Sequence, residues 1–332
     1  MKRGESGLSL LVGVDKPQGM SSHDAVNRCR RIFGERRVGH TGTLDPLATG
    51  VLPVCIGPAT RLDRYLTGHD KVYRVTMRFG SETATDDAEG EVIRRAPCPP
   101  DLLDGRFASS YIEGLVGEHM QEPPRYSAVK VDGRKAYEVA RKGGDAALEP
   151  RPIRILKARL LERSAGPDGD GCEWTAEFAV SKGTYIRSIA RDIGRELGCF
   201  AHVTALRRMA SGSLGLEYCH SLETLEDLGQ QAALDPVRFL GMRYAFGDDA
   251  APAILNGAAL GAGALRLCDP LRAEPQPCAC CGSGVVPSEA PPQPGEAVAV
   301  ILENRLKAIY RYDAAAARYR TDCVFSQPIV RG

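Results

Sequence analysis

What this chain lacks narrows its class first. No apolar run reaches the roughly 20 residues of a membrane-spanning helix, and Met1-Lys2-Arg3-Gly4-Glu5 has no apolar signal-peptide core. The 11 cysteines are scattered and odd in number, which argues against a disulfide framework and for a reducing, cytoplasmic setting. No Gly-x-x-x-x-Gly-Lys-[Ser/Thr] loop is present to cradle a nucleotide's phosphates. Cys278, Cys280 and Cys281, with Cys268 nearby, have no zinc-finger spacing, so no metal is expected. A large net charge is also missing, at +1. The basic residues are nevertheless grouped. One run holds Arg28, Arg30, Arg31, Arg36 and Arg37; a second holds Arg125, Lys130, Arg134, Lys135, Arg141 and Lys142; a third holds Arg151, Arg154, Lys157 and Arg159. Each run alone reads as a solvated face. Because distribution matters more than total charge, the three together predict a phosphate-binding surface.

What is there centres on residues 39–52, Gly-His-Thr-Gly-Thr-Leu-Asp-Pro-Leu-Ala-Thr-Gly-Val-Leu. Its glycines permit tight turns and close approach, and Pro46 keeps Asp45 in extended geometry. One carboxylate thus sits on a shaped loop, with His40 and two threonines close in sequence. The apolar run 51–56 predicts a buried strand behind it, with Pro53 near its start. An Asp before Pro is commonly a turn former or helix N-cap. A loop braced by a strand is also where catalytic side chains commonly stand. The Thr-Gly-Thr-Leu core is shared with the aspartyl-phosphate loop of ion pumps, whose nucleophile precedes the first Thr by two residues. Gly39 occupies that position, so phosphoryl transfer fits poorly.

Periodicity outlines the elements. Leu10, Val12 and Val14 alternate as in a half-buried strand, followed by Pro-Gln-Gly-Met and the N-cap pair Ser21-Ser22 with Asp24 in the first turn. Ala25, Val26, Cys29, Ile32 and Phe33 recur at helical spacing up to Gly34. Tyr73, Val75, Met77 and Phe79 share one face of a strand, and residues 86–90 read as an acidic turn. Trp174, Ala176, Phe178 and Val180 alternate, and Ile186, Ile189, Ala190, Ile193 and Leu197 stripe a helix closed by Gly198. Arg187 in that helix's first turn opposes the dipole, so a carboxylate partner is called for. Near the end, residues 254–257, 297–302, 305–312 and 319–325 suggest short strands.

The 39–52 string resembles the Gly-His-Thr-Gly-x-Leu-Asp-Pro-Leu-Ala-Thr-Gly motif of the TruB family, the bacterial tRNA pseudouridine-55 synthases. Other stretches share the likeness: Lys-Pro-x-Gly-x-Ser-Ser from Lys16, Lys71-Val72-Tyr73, Gln-x-Pro-Pro-x-Tyr-Ser-Ala-x-Lys from Gln121, and Gly-x-Tyr-Ile-Arg ending at Arg187. The resemblance implies that Asp45 is the nucleophile that isomerises a uridine in the tRNA T-loop, with Arg187 as its ion-pair partner and Tyr73 stacked on the base. It also implies substrate contacts by His40, Tyr185 and Leu206. Lys16 would support the site or touch RNA, and Lys130 and Arg141 would grip phosphates from an insertion at about 121–150. Without the family, Tyr73 and Leu206 read as core residues and Lys16 as a surface lysine at a strand end.

The implied fold is α+β, a mixed, largely antiparallel central sheet flanked by helices, with a small β-rich PUA-type domain. Residues 1–245 would form the catalytic domain and 246–332 the RNA-binding one, the latter carrying a mobile Pro- and Cys-rich insert at about 268–295. The implied reaction uses no cofactor, and the T-arm of tRNA is the expected partner of a monomer needing no other protein and no membrane. Attack at C6 of uracil and at C1′ of ribose both remain open, as does His40 filling the vacated space or acting as a base. A tRNA-folding factor is the alternative from a different class. A carboxylate-based hydrolase would need a second catalytic Asp or Glu, for which no motif is present.

Overall fold

The structure, a computed structural model, describes residues 6–127, 129–131, 133–136, 139, 144, 148–166, 171–271 and 287–332, without the side chains of Lys130, Arg134 and Lys135. None of the described helices is long and apolar enough to cross a membrane. The chain divides into two compact units, one of Met1–Asp45, Gly50–Gly68 and Ser211–Gly332, the other of Pro46–Thr49 and His69–Ala210.

In the first unit, strand Leu10–Lys16 runs antiparallel to Thr49–Ile56 and parallel to Cys219–His220, and Val38–His40 adds antiparallel to Thr49–Ile56. Helix Ser22–Ile32 follows the first strand and starts with a reciprocal box: Asp24 N–H donates to Ser21 Oγ, and Ser21 N–H donates to the Asp24 carboxylate. Gly34 ends it at a φ of 60°. The first strand is not half-buried as its alternation suggests, since Leu10, Leu11, Val12 and Val14 are all at 0% exposure. Leu11 packs with Val51 and Cys55 into a cluster with Ile301, Ile309, Phe325 and Ile329 of the C-terminal strands. Pro53 falls mid-strand, opposite Gly13, rather than near the strand's start.

Those C-terminal strands form a six-stranded sheet in the order Leu260–Gly261, Arg318–Val330, Arg305–Asp313, Ala297–Leu302, Tyr244–Phe246, Arg266–Cys268. Of the three long strands, Ala297–Leu302 and Arg305–Asp313 agree with the expected ranges to within a residue, and Arg318–Val330 runs five residues beyond the expected 319–325. The stretch 254–257 is not a strand: its first two residues end a helical turn, Ala251–Leu255, with Pro252 in its first turn and Gly257 left-handed beyond its end. Proline's fixed φ suits a first helical turn, and Ile254 anchors it in a second cluster with Val298, Val300, Tyr310 and Tyr319. Tyr244–Phe246 straddles the expected boundary at 245/246. The far end of the 268–295 stretch is held by Arg243, which donates to the carbonyls of Ala290 and Pro291 and pairs with Glu296. Cys278, Cys280 and Cys281 lie outside the described residues.

The second unit is a sheet ordered Ala201–Ser211, Lys71–Phe79, Cys172–Val180, Arg151–Ala165, Gly117–Gln121, with neighbours among its last four strands antiparallel. Trp174, Ala176 and Phe178 are at 0% exposure, as their alternation predicts. Helix Ile186–Glu196 buries Ile186, Ile189, Ala190 and Ile193 and lies so close to the next strand that a Cβ on Gly194 would meet Ala201 N at 2.1 Å. Within the insertion, Lys130–Val131 and Arg134–Lys135 pair across Gly133, whose φ is 79°. Arg141 lies outside the described residues. The α+β expectation with a mixed, largely antiparallel sheet and flanking helices therefore holds, as does a β-rich C-terminal part.

Candidate active site

The loop bearing Asp45 is fastened one residue ahead of it. Ser22, buried at the start of its helix, donates its hydroxyl to the Leu44 carbonyl at 2.9 Å and accepts from Leu44 N–H at 2.7 Å. Upstream, Thr41 N–H donates to the Pro53 carbonyl at 3.1 Å, and Gly42 takes a φ of 122°. That value is open only to a residue without a Cβ. Asp45 itself is half-buried, between buried Leu44 and exposed Pro46. His40, also half-buried, stands opposite Val54 in the strand pair. Lys16, opposite Gly50, is fully buried, and its ammonium donates to the carbonyls of Pro17 and Met20, which shapes the loop ahead of Ser21.

In the second unit, Pro46–Thr49 continues the same loop. Thr49 Oγ1 donates to the Leu206 carbonyl at 3.5 Å and accepts from Arg207 at 3.2 Å. Leu206 is buried on Ala201–Ser211, beside the strand whose Tyr73 is half-buried and opposite Phe178. Lys71, two residues before Tyr73, has its ammonium pushed down to about 8 by burial and by repulsion from Arg208. Tyr185 stands at the N-cap of Ile186–Glu196, and the amide of Gln121 both accepts from its N–H at 2.8 Å and donates to its carbonyl at 3.0 Å. Its ring packs against Val129, Ala136 and Leu148 of the insertion.

Arg187 is buried, at 4% exposure. Its guanidinium donates to the carbonyls of Thr85 at 2.8 Å and Tyr126 at 3.0 Å and faces Asp87 Oδ2 at 3.6 Å. Asp87 is itself fixed by the Thr85 hydroxyl at 2.6 Å and Glu89 N–H at 3.1 Å. One turn on, Arg191 meets Asp86 at 3.4 Å and the Glu122 carbonyl at 2.9 Å; a further turn on, Arg195 makes a bidentate pair with Glu82 at 2.9 and 2.8 Å. Residues at i, i+4 and i+8 share a helix face, so three arginines face three carboxylates. Hydrogen bonding by Arg195 holds the Glu82 carboxyl below its usual range, whereas burial pushes the Asp86 carboxyl up to about 6 despite Arg191. The first two residues of the acidic turn, Asp86 and Asp87, are thus buried, with Asp86 left-handed at a φ of 61°, while Glu89 is exposed.

Of the residues singled out from sequence, Lys16, His40 and Asp45 fall in the first unit and Tyr73, Tyr185, Arg187 and Leu206 in the second. Lys130 lies in the insertion's hairpin, its side chain outside what is described. Sequence reasoning missed Ser22 as the loop's fastener, Gln121 as the anchor of Tyr185, and Asp87 as a partner of Arg187. The dipole argument called for a carboxylate near Arg187 but could not say which. Among the described residues no group of His, Cys, Asp and Glu is arranged to hold a metal ion.

Comparison with known proteins supplies an independent reading. The model for TruB family pseudouridylate synthase (N terminal domain) matches residues 30–186, and that for the tRNA pseudouridylate synthase B C-terminal domain matches 187–237. tRNA pseudouridine synthase B of Mycobacteroides abscessus is 47% identical over 225 residues, 68% of this chain and 74% of the relative. The Shigella dysenteriae protein of that name is 42% identical over 231 residues, 70% of each chain. Among solved structures, an H/ACA RNP bound to a substrate RNA containing 2′-deoxyuridine aligns at a TM-score of 0.65 and 22% identity, covering 95% of this chain and 84% of that one. A Cbf5-Nop10-Gar1 complex aligns at 0.64 and 24%, covering 96% and 85%. These two likenesses establish the fold alone.

Proposed function

The chain belongs to the TruB family of tRNA pseudouridine synthases, and from that premise we propose that it converts uridine 55 in the T-loop of tRNA to pseudouridine, with Asp45 as nucleophile. The enzyme is an isomerase. The observation that carries the assignment of Asp45 is the fastening of Leu44 by Ser22, which fixes the backbone directly before the carboxylate. A side chain whose backbone is already fixed loses little freedom on reaching the reacting atom.

The target base lies inside a folded loop, so it must swing out, at a cost of a few kcal/mol. Tyr73 and Leu206 then sandwich the ring. Arg187 orients the Asp45 carboxylate, which bonds to C6 of the base or to C1′ of the ribose. The N1–C1′ bond breaks, the uracil turns, C5 bonds to C1′, and the bond to Asp45 breaks, which frees the carboxylate. C5 then loses its proton and N1 gains one. Nothing is oxidised, and no cofactor is consumed. Tyr185 lines the pocket, His40 fills the space left by the base, and Lys16 shapes the adjoining loop. Lys130 and Arg141 hold phosphates, which positions RNA without reading its sequence. The protein acts as a monomer in the cytoplasm.

The test uses a T-arm stem-loop RNA and mass-spectrometric mapping of pseudouridine. Wild type is expected to modify position 55, and Asp45→Asn to be slower by roughly 10³-fold or more. Near-native product from Asp45→Asn would refute the nucleophile. RNA folding by both proteins with no pseudouridine from either would favour a folding factor instead.

A further inference from the structure

Three cysteines from separate segments converge in the second unit. Cys98 follows strand Val92–Arg95, Cys172 opens strand Cys172–Val180, and Cys199 follows helix Ile186–Glu196. None of the three is in a disulfide; Cys172 and Cys199 are buried, and Cys98 is half-buried. The Cys98 side chain is within hydrogen-bond contact of both other thiols. Backbone pairing explains the convergence. Cys172 stands opposite Phe79 on one side of the strand, and Gly80 N–H donates to the Cys199 carbonyl at 3.2 Å on the other. A Cβ on Gly80 would come within 3.5 Å of the Cys98 sulfur, and one on Gly171 within 3.7 Å. The sulfur therefore lies against bare backbone.

A cavity of about 160 Å³ shares Gly80 and Gly171 with this cluster and is also lined by Arg78, Arg95 and His202. Small polar molecules can enter so polar a cavity. Burial pushes the thiols of Cys172 and Cys199 up to about 12, which keeps them protonated. Cys98 is the accessible member.

We propose that Cys98 is a peroxide-sensitive modification site that closes an intrachain disulfide with Cys199. The Cys98 sulfur attacks one peroxide oxygen; the O–O bond breaks, leaving a sulfenic acid and, after protonation, water. The Cys199 sulfur then attacks the Cys98 sulfur, its proton passes to the departing oxygen, the S–O bond breaks, and a second water leaves. Two thiols are oxidised and one peroxide is reduced. Cys199 is the resolving thiol because disulfide geometry is narrow and the backbone must adjust to reach it. Cys172 is laddered between Phe79 and Ala165, whereas Cys199 sits in the short connection between helix and strand. The bond ties the segment after Val92–Arg95 to the end of the helix that carries Arg187.

The three cysteines fall on different tryptic peptides, 96–106, 164–182 and 196–207, so mapping separates the outcomes. The full chain is treated with graded hydrogen peroxide, alkylated without reduction and digested. The expected result is a linked pair of peptides 96–106 and 196–207 that dithiothreitol releases, is absent from Cys98→Ser and persists in Cys172→Ser. Cys98→Ser should retain wild-type pseudouridine formation without peroxide. Linkage to 164–182, linkage between chains, or a Cys98 still fully alkylated while other thiols oxidise would overturn the proposal.

Discussion

A guanidinium withdrawn from water must be neutralised where it lies, and Arg187 meets that need with two carbonyls and Asp87. Removing one member of a buried ion pair costs about 3–5 kcal/mol, because the other charge is stranded. Asp87→Asn is accordingly expected to lower stability by about 3 kcal/mol in urea unfolding, and to reduce kcat while leaving KM for T-arm RNA nearly unchanged. Asp86 works in the opposite sense. Burial raises its carboxyl from 3.8 to about 6, outweighing Arg191, Arg187 and Arg195, with Glu82 adding to the rise. Its contribution to stability is complete below 3.8 and is lost as pH rises through about 6. Between pH 4 and 7 the stability of wild type relative to Asp86→Asn should therefore fall, by up to about 3 kcal/mol. Asn tolerates the left-handed backbone at this position, so the substitution isolates the charge. A difference that stays flat or grows with pH would contradict the assignment.

At the scale of elements, the helix start and the loop are one construction, joined through Ser22. Ser22→Ala would leave the buried N–H and carbonyl of Leu44 without that hydroxyl. The expected cost is about 2 kcal/mol. Circular dichroism should show the helix retained while kcat falls about tenfold or more, as the loop loosens. Gly194 shows packing overriding local preference. Alanine is the better helix former by about 1 kcal/mol, yet its Cβ would strike Ala201 N at 2.1 Å. Gly194→Ala should thus lower the melting temperature. A rise would mean that helix and strand separate easily.

On the scale of the whole molecule, the C-terminal sheet and the first strands share a core. Phe325 is at 0% exposure in the cluster that holds Leu11 and Val51. Phe325→Ala is expected to cost about 3–5 kcal/mol. Because the cluster is shared, the substitution should also speed hydrogen exchange in Thr49–Ile56, the strand continuing from the Asp45 loop. Exchange confined to the C-terminal strands would show that the two parts open separately.

Local pattern was enough for much of this. The capped helix Ser22–Ile32, the alternation of Trp174, Ala176 and Phe178, and the shaped loop of residues 39–52 are properties of neighbours in the chain, and sequence carries them directly. The same holds for the motifs that mark the family. Tertiary structure alone decided that Leu11 is buried on its second face, that residues 254 and 255 end a helical turn instead of opening a strand, and that the acidic 86–87 pair faces arginines instead of water. The reason is physical: periodicity reports which side chains share a face, but burial and charge pairing depend on segments about 100 residues apart, as Arg187 and Thr85 are at a separation of 102.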